Sequence, residues 1–134
     1  MAKTFTAPFS QTTKRIKAKV TAAHTSLETT TNAVLSYTAG TEGAVVTRLV
    51  FNPIETTGGA GVAYVYSSVD SGSTLHLLEA QAVASDTLSA SDGPTKISFS
   101  PSESSPWRLE ASERLYVGFS LAKAGSFTGD AMDF

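Results

Sequence analysis

Apolar and polar residues alternate along this chain in short runs, each closed by a cluster of turn residues. The run that begins at Arg15 is the clearest, with Ile16, Ala18, Val20 and Ala22 interleaved with Arg15, Lys17, Lys19 and Thr21. Successive side chains of a strand point to opposite faces, so this spacing predicts a strand with one buried face and one wet one. Leu27 to Asn32 is too β-branched and polar for a stable helix and leads into a predicted strand from Ala33 to Thr38. After the turn Ala39-Gly40-Thr41-Glu42-Gly43, a longer strand is predicted from Ala44 to Asn52, ended by Pro53. Its expected faces put Val45, Leu49 and Phe51 together and Arg48 on the other side.

The second half repeats the theme. Val62 to Val69 reads as a strand with Tyr64 and Tyr66 on one side, and Asp70-Ser71-Gly72-Ser73 turns it into a return strand from Thr74 to Val83. A polar loop separates this hairpin from a short strand over 95–100, where Ile97 and Phe99 alternate with Lys96 and Ser98. Pro101 to Pro106 breaks regular structure, leaving Trp107 expected between two loops. Leu115, Val117, Phe119 and Leu121 then form one apolar stripe, and a last edge strand is predicted over 126–134.

These runs amount to about eight strands with turn signals roughly every 8 to 12 residues, the rhythm of an all-β sandwich or jelly roll. Nowhere do apolar residues recur at helical spacing for three turns. The predicted fold is therefore a single antiparallel β-sandwich, jelly-roll-like, spanning 15–134, preceded by an extended N-terminal arm over 1–14 that lacks either period.

Length and composition agree with one domain. A chain of 134 residues buries about two thirds of its unfolded surface on folding, so it needs no staples. It has no cysteine, which removes disulfides, thiolate metal sites and a cysteine nucleophile. A net charge of -2 argues against coating nucleic acid, for which a basic domain is expected. The opening residues lack the apolar stretch of a signal peptide, and the longest apolar runs are too short to cross a bilayer. The expectation is a soluble product of cytoplasmic synthesis with neither nucleic acid nor membrane as partner.

Each candidate for chemistry has a plainer explanation. His24 and His76 are the two histidines, without a second ligand at metal-binding spacing, and His76 reads as a solvated strand residue. Gly118-Phe119-Ser120-Leu121-Ala122 has the outline of a nucleophile elbow but lies in an alternating strand rather than a strand-to-helix turn. Gly58-Gly59-Ala60-Gly61 lacks the Lys-Ser or Lys-Thr of a phosphate loop. Asp70-Ser71-Gly72 lacks the further carboxylates of a calcium loop. The pairs Glu110 with Glu113 and Asp130 with Asp133 have the residue types of a glycosidase, yet flank turns or ends. No residue is put forward as catalytic, cofactor-binding or metal-binding, and no cofactor is expected.

Two features point instead to a protein interface. Lys3, Lys14, Arg15, Lys17 and Lys19 precede the first acidic residue and could dock on an acidic neighbour, or serve as the wet face that guards an edge strand. Phe5, Phe9 and Trp107 sit where no core is predicted, as anchoring aromatics do.

Two segments carry a resemblance. The segment from Ala63 to Leu75, with its tyrosine-rich strand and Asp-x-Gly turn, is similar to a hairpin common in small structural proteins of tailed bacteriophages. The segment from Pro106 to Gly118 resembles their Leu-x-x-Gly-Asp-x-Leu-Tyr-Val pattern, with Ser112 and Glu113 in place of Gly-Asp. The resemblance implies a non-enzymatic virion component, foremost a capsid decoration or cement protein that binds the major capsid protein and forms a homo-oligomer, with a trimer the expected form. It implies no catalytic residues. Alternatives are a tail, collar or fibre-associated subunit and, from another class, a carbohydrate-binding module whose platform would be Tyr64, Tyr66 and Trp107.

Overall fold

The computed structural model describes residues 12–24 and 32–134, and no helix occurs among them. Nine strands follow in order: β1 (Thr12–Val20), β2 (Val34–Thr38), β3 (Ala44–Pro53), β4 (Gly61–Ser68), β5 (His76–Val83), β6 (Ile97–Ser98), β7 (Trp107–Leu109), β8 (Arg114–Phe119) and β9 (Gly125–Asp133). They form two antiparallel sheets. The first runs β1-β9-β3-β6, with β7 also paired to β3, and the second runs β2-β8-β4-β5. Strands from the beginning of the chain thus lie beside strands from its end in both layers.

One apolar core joins the layers. Ile16 and Val20 of β1, Leu49 and Phe51 of β3 and Phe127 of β9 meet Val65 of β4 and Leu115, Val117 and Phe119 of β8. Phe51 touches both sheets, with ring centroids 4.9 Å from Phe119 and 4.7 Å from Phe127. Full burial of one such ring stabilises the fold by about 1.5–3 kcal/mol, so this trio is the centre of the packing.

Several sequence expectations are corrected. β1 begins at Thr12, so Thr12, Thr13 and Lys14 belong to a nine-residue strand rather than to the arm; residues 1–11 lie outside the described residues. The last strand is not an edge, because β9 pairs with β1 on one side and β3 on the other. Its inward positions are Gly125, Phe127, Gly129 and Ala131, all buried. Half of them are glycine because the space is already taken. A Cβ on Gly125 would stand 2.4 Å from Phe51, and one on Gly129 would stand 2.1 Å from the carbonyl oxygen of Arg48.

The faces of β3 also differ from expectation. Its register against β9 shifts between Val46 and Arg48, and the extra residue resets the alternation as a β-bulge does. Ala44 and Val46 before the bulge, and Leu49 and Phe51 after it, face the core. Val45 is turned to the outer side, between Met132 and Arg108.

Turns behave as their residues require. Ser71 and Gly72 take φ of 61° and 93° in the β4–β5 turn, the left-handed region that this hairpin needs. Ser112 takes φ of 59° in the β7–β8 turn, and Glu113 fastens that turn by accepting the Glu110 backbone N–H at 3.0 Å.

Candidate functional site

Cross-strand register gathers charge on the outer face of the first sheet. Arg15, Lys17 and Lys19 alternate away from Ile16 and Val20, opposite Asp130, Thr128 and Ser126 of β9. Arg48 of β3 reaches the same Asp130 from the other side. Asp130 is therefore held between two cations, Arg48 Nε at 2.9 Å and Arg15 Nε at 3.7 Å. Arg108 of β7 joins the face beside Val45. Lys14, by contrast, lies opposite the core residue Ala131, so it shares the Ile16 side of β1, where it remains exposed.

The outer face of the second sheet is apolar and partly covered. After β1 the chain crosses to this layer. The His24 N–H donates to the Phe119 carbonyl at 2.8 Å, and Ala23 forms a parallel bridge with Phe119. His24 is fully buried there, sharing a 2.9 Å hydrogen bond between Nε2 and the Tyr66 hydroxyl. Tyr64 stacks beside Tyr66 at 6.0 Å, while both rings meet His24 edge-on. The close fit depends on Gly118, where a Cβ would stand 2.9 Å from the Cβ and Cγ of His24. Burial, and secondarily the neighbouring Tyr64, push the Tyr66 hydroxyl up to about 12. Nothing in the sequence marks His24 as buried, since it follows the last apolar alternation and faces a glycine rather than a hydrophobic partner.

Other polar candidates are taken up in structure. The Asp133 carboxylate accepts the Tyr37 hydroxyl proton and the Gly40 N–H. Burial first, then that carboxylate, hold Tyr37 neutral well above the ordinary phenol range. Asp130 and Asp133 face opposite sides of β9, so they are not a cooperating pair. Glu113 is spent on its own turn. The Ser120 hydroxyl accepts the Val62 N–H at 2.8 Å just beyond the end of β8. The Asp70 carboxylate accepts the Thr74 N–H and the Ser68 hydroxyl, which lower its pKa in that order, and so fixes the hairpin turn. His76 is exposed on β5. Among the described residues no group of three His, Cys, Asp or Glu is arranged to hold a metal ion. A shallow groove of about 220 Å³ between Pro53, Val83, Asp86 and Ile97 brings a single carboxylate to its wall.

The interface residues expected from sequence are divided by the structure. Arg15, Lys17 and Lys19 share one face, Lys14 does not, and Phe5 and Phe9 lie outside the described residues. Trp107 is not in a loop. It belongs to β7, opposite Val46, and is partly buried against the main core. It lies in the first sheet and Tyr64 and Tyr66 in the second, so the three do not make one platform. Arg48 and Arg108 were not expected in the cationic group. Arg48 is marked by its outward phase on β3, but only strand pairing reveals that both adjoin β1.

No known family model matches the chain, and no curated protein matches it in sequence.

Proposed function

We propose that this protein is a non-enzymatic structural component of a tailed-phage virion, acting as a capsid decoration or cement protein that ties neighbouring shell subunits together. The observation that carries the reading is the strand order, β1-β9-β3-β6 over β2-β8-β4-β5. Read as two interleaved Greek keys, that order supports a jelly-roll reading, an architecture used by viral capsid and lectin domains. The resemblance over Leu109 to Val117 adds to it. Where the phage pattern has Gly, Ser112 adopts φ of 59°, and where it has Asp, Glu113 fastens the turn.

Cement proteins work through area, since a specific interface needs on the order of 1,000 Å² or more. This chain would supply it from residues before β1, including Phe5 and Phe9, and from the cations of β1, whereas Trp107 packs on the core side of β7. Self-association into a closed trimer would use the free edge of the second sheet. There, among the described residues, β5 pairs on one side only, and Leu77 and Leu78 are 45% and 40% exposed. Long edges with exposed apolar residues invite pairing with another chain, and closed rings leave no such surface open. The virion is the proposed location, reached after synthesis in the host cytoplasm.

Cosedimentation with capsids that lack the protein tests the reading. Saturable binding supports a cement role, whereas failure to bind while the rest of the virion assembles would falsify it; immunogold labelling at the tail or collar would move the protein there. Removing residues 1–11, up to the start of β1, is expected to leave the domain folded and to weaken attachment. A truncated protein that unfolds would return those residues to the core. The carbohydrate-binding alternative has lost its three-residue platform.

A further inference from the structure

We infer that the outer face of the β1-β9-β3 layer is a docking face for an acidic protein surface. The inference deepens the assembly reading and rests on it only in taking the natural partner to be a neighbouring subunit. Among outward strand positions, Arg15, Lys17, Lys19, Arg48 and Arg108 bring five cations and Asp130 the one acid. Those described strand positions carry five of the ten basic residues and one of the twelve acidic residues in the sequence. A protein of net charge -2 therefore carries a local excess of four positive charges here and a deficit of six elsewhere. The imbalance is spatial, and composition conceals it.

Geometry makes the charges act together. Outward neighbours on a strand are about 6.8 Å apart and adjacent strands about 4.8 Å apart. From Lys19 to Arg108 the cations cover roughly 20 Å by 14 Å, a span that successive separations bridge within a Debye length of about 8–10 Å. Asp130 sits between Arg15 and Arg48 and restrains both guanidinium groups. Restrained side chains lose less entropy when they meet a partner's carboxylates, and the planar guanidinium suits two-point contact with them.

The floor between the cations distinguishes protein from nucleic acid. It consists of Thr13, Ser126, Thr128, Met132, Val45, Val50, Asn52 and Ser98. No aromatic ring occupies an outward strand position on this face, and stacking on such rings is what single-stranded nucleic acid uses. Among the described residues this surface of hydroxyl and aliphatic groups also carries no helix to enter a duplex groove. Rows of carboxylates on another protein fit both the charge and the shape.

Poly-L-glutamate, titrated into the full-length protein at low and high salt, is the probe. Binding should saturate, weaken with salt, and fall at least about tenfold in Lys17→Glu/Lys19→Glu combined with Arg108→Glu, since each exposed pair contributes modestly and three are reversed. Lys14→Glu/Arg114→Glu changes charge on the Ile16 side of β1 and on β8 of the second sheet, away from this face, and should retain most of the affinity; thermal melts confirm that both variants fold. Equal losses in the two variants, no binding of poly-L-glutamate at about 0.1 mM, or tighter binding of an oligothymidylate than of poly-L-glutamate would each overturn the inference. The virion reading fails separately. If poly-L-glutamate binds through this face but capsids do not, the face stands and the location falls. If capsids bind the face variant as well as wild type, the reverse holds.

Discussion

Replacing Gly118 by alanine asks whether the segment before residue 25 is held to the second sheet by direct contact. The new Cβ would stand 2.9 Å from the Cβ and Cγ of His24 and 3.0 Å from Cδ2, inside the 3.4 Å at which ordinary contact begins. The ring is not free to swing aside. Tyr66 holds its Nε2 at 2.9 Å, and Phe119 holds the His24 N–H at 2.8 Å. If the segment stays and the strain spreads, overpacking costs about 1–3 kcal/mol. If it lifts, two hydrogen bonds at about 1 kcal/mol each are lost together with part of the burial of His24 and Tyr66. Both routes converge on about 2 kcal/mol. With a urea slope of about 2 kcal/mol per molar, the midpoint should fall by about 1 M at unchanged slope. Trp107, in the other sheet, reports global unfolding by fluorescence, while near-ultraviolet circular dichroism follows the tyrosines. His24→Ala should not rescue the variant, because His24 Cβ is itself one of the crowded atoms; His24→Gly should. In that background Gly118→Ala is expected to cost under about 0.5 kcal/mol, a coupling well above additive error. Equal cost in both backgrounds would refute the contact.

Two further outcomes follow from the same geometry. Ser112→Gly removes a left-handed serine, whose strain of about 1–2 kcal/mol exceeds the extra unfolded-state entropy of glycine of about 0.5–1 kcal/mol, so Tm should rise by about 2–4 °C; a fall measured by scanning calorimetry would mean that the Ser112 side chain is needed in the turn. In alkali, Tyr66 and Tyr37 favour the protonated form in the fold, so the folded state holds more protons than the unfolded one above pH 10. Stability should therefore be level below about pH 10 and decline as pH rises toward 12, by at most about 1.4 kcal/mol per pH unit for each tyrosine; Tyr66→Phe should flatten part of that decline, and a urea midpoint series with identical slopes for both proteins would contradict the assignment.

Legibility in the sequence followed the range of the interactions involved. Ile16, Val20, Leu115, Val117 and Phe119 are core residues that simple alternation identifies, and Ser71-Gly72 is a turn that its own residue types require. The bulge at Thr47 was hidden, because one extra residue reverses the faces on one side of it and leaves no local mark. The central place of β9 was hidden for a related reason. Its inner face is half glycine, which reads as a weak edge, until Phe51 and the Arg48 backbone are seen filling the space. The candidate docking face was half legible. β1 announces its own lysines, but Arg48 and Arg108 join them only through a register set by residues far away in the chain.

The insertion of β9 between β1 and β3 orders events during synthesis. While the ribosome is still making residues before 125, β1 lacks β9, its one strand partner among the described residues, and the β9-facing edge of β3 lies bare. The first layer can zip up only after Asp133 has left the exit tunnel, so nascent chains arrested earlier should be protease-sensitive along β1 even with the β4–β5 hairpin already formed. Such late closure places a premium on charged residues at the waiting strand, and β1 is where Lys14, Arg15, Lys17 and Lys19 stand guard against pairing with the wrong neighbour.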